Sequence, residues 1–205
     1  MKKEDMKTVW GWSEEFKHLE SDEDFRRIWW RTEAIPGSFT RLNAAAYYGQ
    51  ACLVPRDGLI VEIGVDQGRS ASILAAVSEK TGVKVALIDS WPSVLADNFH
   101  KTKQMLKEFP TSNVEVYWMT SAEAARGPFA SPERIVDLLH IDAHHYLPEI
   151  EIDCQCWLPA LRGGGVVCFH DYGSTFPDVT AMVDRYTDGW EDLGNFDSLA
   201  IRQKP

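Results

Sequence analysis

The chain has 205 residues, which is enough for one well-packed domain and short for two. Its formal net charge of −10 disfavours binding to nucleic acid, because a polyanion repels an acidic protein. No apolar run reaches the roughly 18 residues of a membrane helix, and the lysine-containing start lacks the apolar core of a secretory signal. We therefore expect a cytoplasmic protein with reduced cysteines and with neither a membrane nor a nucleic-acid partner.

Helical patterns occupy the first part of the chain. Asp22 is placed to cap a helix, residues 35–38 (IPGS) interrupt the pattern, and a second helix then runs towards Pro55. These features predict a helical cap over residues 1–55. Because this cap is rich in aromatic side chains, it is a candidate contact surface for a homo-oligomer.

Short apolar strands alternate with helices from Leu59 onward. We predict strands at 59–63, 83–88, 114–118, 136–141 and 165–169, helices at 70–80, 148–161 and 179–186, and a hairpin of 190–193 with 198–202 turning at Gly194 and Asn195. Continuous apolar strands separated by helices indicate a parallel sheet covered on both faces. With no repeat or linker, residues 56–205 are expected to form the core of a single domain over residues 1–205.

A glycine turn follows the first strand and opens a helix. Gly64 and Gly68 let the backbone turn tightly and approach a ligand, although a plain strand-to-helix turn is an alternative. The turn is not the GxGxxG dinucleotide fingerprint, because Asp66 stands in its middle. Asp89 ends the second strand, near the offset of about 20 residues at which an acid meets ribose hydroxyls. Its alternative role is a helix cap or turn residue.

Polar residues also follow the third strand. Ser121 is placed to meet the edge of an adenine, and a simple helix start with Glu123 in its first turn is an equal alternative. Glu149 and Asp153, further along the chain, are interpreted as surface or cap-supporting residues of a helix.

Acidic and imidazole side chains follow the fourth and fifth strands. Asp142, His144 and His145 come after the fourth, and His170 and Asp171 come after the fifth. Neighbouring parallel strands end at one edge of a sheet, so these groups are expected to meet. In one interpretation, Asp142, His170 and Asp171 bind Mg²⁺ or Mn²⁺, which lowers the pKa of a substrate hydroxyl. In the other, no metal binds and His144, His145 or His170 acts as general base.

Several segments together resemble the class I S-adenosylmethionine-dependent methyltransferases, and within them the small O-methyltransferase-like group of macrocin-type sugar O-methyltransferases and proteins labelled cephalosporin hydroxylase. The matching segments are IPG at 35–37, VEIGVDQGRS at 61–70, LIDSW at 87–91, HIDAHHY at 140–146, LPALRGGGVVCFHDY at 158–172 and SLAIR at 198–202. The resemblance implies a Rossmann-like, doubly wound α/β fold, with a mostly parallel seven-stranded sheet whose last strand is antiparallel.

The resemblance also implies a cofactor, S-adenosyl-L-methionine, and methyl transfer to a hydroxyl of a small-molecule acceptor. The cofactor-binding positions that it implies are Glu62, Gly64, Gly68, Asp89, Ser121, Glu123 and Asp142. The metal-dependent relatives carry an acid where this chain has His170, and many relatives carry an acid where it has His144. Because of these departures, a non-catalytic domain stays an alternative. A second alternative is a nucleotide-linked enzyme of another doubly wound family.

Overall fold

The structure is a computed structural model that describes residue 19 and residues 22–110, 112–129 and 135–205. The predictions made for the segment before residue 19 lie outside the described residues. The prediction of one domain over residues 1–205 stays a prediction.

A seven-stranded sheet forms the centre of the molecule. Its strands are β1 (Leu59–Ile63), β2 (Lys84–Asp89), β3 (Val114–Trp118), β4 (Val136–Ile141), β5 (Leu161–Phe169), β6 (Glu191–Phe196) and β7 (Leu199–Gln203). They lie in the order β3-β2-β1-β4-β5-β7-β6. Strands β1 to β5 are mutually parallel, and β7 is antiparallel to both of its neighbours, β5 and β6. The predicted mostly parallel sheet with an antiparallel last strand is confirmed.

Seven α-helices accompany the sheet in the described ranges. They are α1 (Glu23–Thr32), α2 (Arg41–Leu53), α3 (Arg69–Thr81), α4 (Ala96–Leu106), α5 (Ser121–Arg126), α6 (Glu149–Trp157) and α7 (Pro177–Tyr186). Helix α1 begins where predicted, because the Asp22 side chain accepts a hydrogen bond from the Phe25 amide at 2.9 Å. Helices α1 and α2 both pack on α3, and α2 also contacts β6 directly, so the described part of the helical cap reaches the sheet by both routes.

The two faces of the sheet are buried in separate hydrophobic clusters. In β1, Ile60 packs into the cluster that includes residues of α1, α2 and α3, whereas Val61 and Ile63 pack into the cluster that includes residues of α6 and α7. Because both faces are covered, the central strands need apolar residues at nearly every position. This burial explains the continuous apolar runs in the sequence.

The closing hairpin turns at residues other than those predicted. Gly194 and Asn195 lie inside β6, and Gly194 follows a register shift opposite β7 with a φ of +121°. The turn falls at Asp197, whose φ is +52°. A short polar side chain tolerates this left-handed backbone, so glycine was not required there. Helix α4 was not predicted, although Phe99, Met105 and Leu106 give it an apolar face that packs against the core.

Two findings bear on the expectations drawn from composition. In the described part of the chain, no helix is both long and apolar enough to cross a membrane. All four cysteines are free thiols, and Cys154 and Cys168 are buried.

Asn43 fastens α2 to the sheet, which generates a stability prediction. Its buried side chain accepts a hydrogen bond from the Thr40 amide at 2.9 Å and donates one to the Phe196 carbonyl at 2.5 Å. Asn43→Ala should lower the free energy of unfolding by about 2 kcal/mol, since it removes one half of the capping box with Thr40 and the buried hydrogen bond to the Phe196 carbonyl. Urea denaturation measures the change. Gln50→Ala on the same helix serves as control, with an expected change below about 1 kcal/mol; equal effects of the two substitutions would contradict the prediction.

Candidate active site

A cavity of about 600 Å³ opens where the parallel strands end. Its wall includes one residue from each of four strand ends: Gly64 after β1, Asp89 at the end of β2, Asp142 after β4 and Asp171 after β5. These four strands are consecutive in the sheet, so their ends form one row. The volume is in the range of cavities that hold a small-molecule ligand.

Close approach of two strand ends requires glycine at position 64. Its φ is +85°, and a Cβ atom added there would lie 2.1 Å from the carbonyl oxygen of Asp142. The Gly64 amide donates a hydrogen bond to the Ile88 carbonyl at 2.9 Å, and the Asp142 amide donates one to the Ile63 carbonyl at 2.8 Å. The turn after β1 is therefore fixed between the ends of β2 and β4.

The Asp89 carboxylate organises this turn. Its Oδ2 accepts hydrogen bonds from the amides of Val65 and Asp66, both at 2.8 Å, and its Oδ1 accepts one from the Trp91 amide at 2.8 Å. A carboxylate has about four acceptor positions. Asp89 therefore holds the loop in shape and keeps acceptor capacity for a ligand hydroxyl. Its role at a ribose stays a prediction.

Two of the predicted cofactor residues lie behind the cavity wall. The Glu62 side chain is fully buried and accepts hydrogen bonds from Ser70 Oγ at 2.5 Å and from Tyr47 Oη at 3.3 Å. Gly68 begins α3 with a φ of +89°, and an added Cβ would lie 2.7 Å from Met105 Cε. Neither residue is part of the wall formed by the described residues. Glu62 instead joins α2, β1 and α3, and Gly68 permits the tight start of α3.

Glu123 also lies outside the cavity wall. Its carboxylate is exposed and accepts a hydrogen bond from the Thr120 amide at 2.8 Å, and the Thr120 hydroxyl in turn accepts one from the Glu123 amide at 3.2 Å. This reciprocal pair is a capping box at the start of α5. The helix-start alternative therefore describes Glu123, whereas its neighbour Ser121 lines the cavity.

Two carboxylates and two imidazoles converge beyond β4 and β5. Nδ1 of His170 lies 3.2 Å from Asp142 Oδ1 and 3.4 Å from Asp171 Oδ2. Nε2 of His145 lies 2.8 Å from Asp171 Oδ2. On its other side, the buried His170 ring shares a 3.2 Å hydrogen bond with Ser198 Oγ. The sequence prediction that these strand ends gather acids and imidazoles therefore agrees with the geometry.

The close packing of these groups shifts their pKa values. Contact with the Asp171 carboxylate raises the pKa of His145. Burial alone lowers the pKa of His170, but the carboxylates of Asp142 and Asp171 outweigh it and raise the pKa to about 10. Burial likewise raises the pKa of Asp171, but the two imidazoles outweigh it and hold the pKa well below its usual range. Each group thus stabilises the charge of its neighbours.

The same cluster fits a divalent cation. Asp142, His170 and Asp171 each offer one ligand atom, and these atoms lie within 4.8 Å of one another. Nδ1 of His170 is buried and has no well-directed hydrogen bond within the described ranges, while Ser198 holds the other ring nitrogen. Metal-bound histidines are commonly oriented by such an outer partner. Two carboxylates and one imidazole suit Mn²⁺ at least as well as Mg²⁺.

His144 lies apart from this cluster. It lines the cavity, but its charge acts on Asp153, whose pKa it lowers. The charges that act on His145 come from Asp171, Asp142 and His170. Of the three histidines predicted as candidates for the general base, the geometry therefore groups two with the carboxylates.

Asp153 is a cavity residue that the sequence interpretation placed on a helix surface. Its side chain is only 1% exposed, it lines the cavity, and its Oδ1 accepts a hydrogen bond from Ser121 Oγ. Burial raises its pKa to about 6. Asp153 and Cys154 are both buried in α6, whereas Glu151 is only partly buried, so the helix turns this short acidic side chain inward. Asp153 lies on the helix face shared by Ile150 and Trp157, and this spacing is the signal that the sequence interpretation missed.

Strained backbone surrounds the cavity. Among the described residues other than glycine, φ is positive at Asp66, Trp91, Asp171 and Asp197, and the first three of these line the cavity. Such conformations cost about 1–3 kcal/mol each and cluster at functional sites. Their coincidence with the cleft supports a ligand-binding role for it.

The strand order is that of a Rossmann-like fold. A glycine turn, an acid and an acid–imidazole cluster at adjacent strand ends are typical of enzymes with this fold. The sequence profile described as "Methyltransferase domain" matches residues 61–172, more than half of the chain. The chain therefore belongs to this methyltransferase family and is an S-adenosylmethionine-dependent methyltransferase. The family and cofactor predictions are confirmed, and neither alternative finds support. No curated protein matches the chain.

Solved structures of methyltransferases share the fold. A TDP-rhamnose 3'-O-methyltransferase of calicheamicin biosynthesis is 17% identical, with a TM-score of 0.63 over 90% of this chain and 94% of that one. A caffeoyl-CoA O-methyltransferase homologue from Staphylococcus aureus is 20% identical, with a TM-score of 0.59 over 92% and 94%. An S-adenosylhomocysteine-bound methyltransferase from Podospora anserina is 14% identical, with a TM-score of 0.61 over 97% and 99%.

Burial of Asp153 predicts a pH-dependent stability difference. Its pKa is raised to about 6 in the folded chain from 3.8 for an unperturbed aspartate, so its contribution to stability is lost as pH rises through about 6. Relative to Asp153→Asn, the wild type should lose about 1 kcal/mol between pH 5 and pH 7. Urea denaturation at both pH values measures this, and any fixed cost of the amide cancels. A difference that stays constant with pH would contradict the prediction.

Proposed function

We propose that this methyltransferase transfers the methyl group to an oxygen atom of a small-molecule acceptor. The observation that carries the proposal is the cluster of Asp142, His145, His170 and Asp171, which lines the same cavity as the glycine turn after β1. A hydroxyl is a weak nucleophile until its proton is withdrawn, and carboxylates, imidazoles or a cation perform that task. Two of the structural neighbours described above are identified as O-methyltransferases.

In this proposal, one group of cavity residues binds the cofactor and another group activates the acceptor. S-adenosylmethionine, when bound, supplies an activated methyl group. Asp89 and the turn that it organises hold the ribose, and the acceptor hydroxyl lies at the cluster beyond β4 and β5. Holding the acceptor oxygen in line with the methyl carbon contributes much of the rate, because it replaces an encounter in solution.

Proton removal at the cluster takes one of two forms. In the first, Asp142, His170 and Asp171 hold a divalent cation, which lowers the pKa of the acceptor hydroxyl. In the second, His145 accepts the proton while Asp171, 2.8 Å away, stabilises the resulting imidazolium. His145 is better placed than His170 for this second form, because its side chain is partly exposed whereas His170 is buried.

The proposed acceptor is a small molecule, since the cavity volume of about 600 Å³ suits a small ligand and the net charge of −10 disfavours nucleic acid. The proposal includes a cytoplasmic location, which the four free cysteines support. It treats residues 1–205 as one domain, and a homo-oligomer built on the aromatic cap stays a prediction.

Cofactor binding depends on Asp89 in this proposal. Asp89→Asn places an amide where three backbone N–H groups donate, so it should weaken binding of S-adenosylhomocysteine at least about 10-fold. Isothermal titration calorimetry measures the Kd of S-adenosylmethionine and of S-adenosylhomocysteine. Asp97→Asn, on the exposed surface of α4, should leave the Kd unchanged. Failure of the wild type to bind either compound would remove the proposal.

Treatment with EDTA separates the two forms of proton removal. Release of S-adenosylhomocysteine is measured with a panel of phenols and sugars as acceptors. If a cation acts, EDTA should abolish release, Mn²⁺ should restore it, and Asp171→Asn should lower turnover about 10²- to 10⁴-fold together with Mn²⁺ binding. If His145 acts alone, EDTA has no effect and His145→Gln causes the loss.

Asp188→Asn, in the exposed turn after α7, is the matched control and should retain full turnover. Turnover that survives EDTA, Asp171→Asn and His145→Gln would show that the cluster beyond β4 and β5 is not the catalytic site.

A further inference from the structure

A buried, incompletely paired carboxylate lines the same cavity as the acid–imidazole cluster. Asp153 Oδ1 accepts a hydrogen bond from Ser121 Oγ, whereas Oδ2 has no partner in the described part of the chain. Carboxylates are rarely buried without full hydrogen bonding, because their desolvation is costly. This arrangement therefore calls for a function beyond joining α5 to α6.

The surroundings of Asp153 determine its charge. Burial raises its pKa to about 6, the approach of His144 lowers it, and the Glu149 carboxylate raises it. Asp153 is therefore mainly ionised at neutral pH and acts only as a hydrogen-bond acceptor. The Ser121 hydroxyl must then be the donor in the pair that they form.

The direction of this hydrogen bond fixes what Ser121 offers to a ligand. With its proton committed to Asp153, the hydroxyl presents only lone pairs to the cavity, which it lines. The Ser121 carbonyl accepts a hydrogen bond from Trp157 Nε1 at 3.2 Å, which holds the residue in place. Ser121 is thus a fixed acceptor. A purine with an exocyclic amino group offers it a matching donor, and a 6-oxopurine offers a second acceptor instead.

We propose that Asp153 is a positioning residue that locks the Ser121 hydroxyl as acceptor for the exocyclic amino group of the cofactor's adenine, and thereby selects adenine over a 6-oxopurine. The inference rests on the proposed placement of the ribose at Asp89, which directs the base towards α5 and α6. It explains why α6 keeps a carboxylate at a position where an apolar residue would be more stable.

Calorimetry with two ligands tests the proposal. The wild type should bind S-adenosylhomocysteine about 10- to 100-fold more tightly than S-inosylhomocysteine, because the oxo analogue leaves two acceptors facing each other. In Asp153→Asn, the amide donates to Ser121 Oγ and frees the hydroxyl proton for a 6-oxo group. The ratio of the two Kd values should then fall below about 3. Glu151→Gln, on the same helix but outside the cavity, should keep the wild-type ratio.

The ratio distinguishes selection from a structural role. If Asp153→Asn weakens both ligands by the same factor, Asp153 only supports the fold and the proposal is overturned. If the wild type binds S-adenosylhomocysteine but does not discriminate, the proposal is also overturned, while the methyltransferase function stands. Absence of all binding by the wild type would instead overturn the cofactor placement, and the selection proposal with it.

A second measurement needs no variant, should Asp153→Asn fail to fold. Lowering the pH from 7 to 5 protonates Asp153 in the wild type, and a protonated carboxyl no longer compels Ser121 to donate. The Kd ratio should therefore decrease about 3-fold or more over this range. His144 and Glu149 are the other titratable groups facing Asp153, so the measurement is repeated with His144→Gln and Glu149→Gln. A ratio that does not change with pH in the wild type overturns the proposal.

Discussion

The contact between the ends of β1 and β4 is the constraint on which the site depends. The Gly64 backbone lies so close to the Asp142 carbonyl that no side chain fits between them. This contact places the loop that Asp89 organises directly against the carboxylate that begins the acid–imidazole cluster. The residues proposed to bind the cofactor and those proposed to remove the proton are therefore neighbours through backbone geometry alone. A larger residue at position 64 would separate the two halves of the cavity.

The antiparallel hairpin of β6 and β7 contacts the acid–imidazole cluster through Ser198. Ser198 lies between β6 and β7, and its carbonyl accepts a hydrogen bond from the Tyr172 amide at 3.0 Å, just after the end of β5. Its hydroxyl then contacts the His170 ring on the side away from Asp142 and Asp171. The turn between the last two strands thus orients the imidazole of His170, which follows β5. The fixed orientation leaves Nδ1 directed towards the carboxylates, which is required for a ligand or a proton at that position.

Sequence reasoning predicted the parts of the molecule in which local pattern and topology agree. Apolar runs predict the central strands, and the rule that ligands bind at strand ends predicts that Gly64, Asp89, Asp142 and Asp171 share one cleft. It did not predict features that depend on which way a polar residue turns after packing. Glu62 faces Tyr47 and Ser70 because a strand alternates its sides, and Asp153 faces Ser121 because α6 packs on α5. The spacing of Thr120 and Glu123 fits a capping box, a signal that the sequence analysis did not use when it kept Glu123 among the implied cofactor residues.

Stability and function are distributed unevenly in this fold. Asn43 and Glu62, away from the cavity, are buried polar residues with hydrogen-bond partners, so they hold helices to the sheet without evident strain. At the cavity the opposite holds: Asp66, Trp91 and Asp171 adopt left-handed backbone conformations, and Asp153 is buried with one oxygen unpaired. A sequence selected for stability alone would replace these residues, since glycine relieves the backbone and an apolar side chain fills the place of Asp153. Their concentration around one cleft is therefore physical evidence that the cleft, rather than the fold, determines their identity.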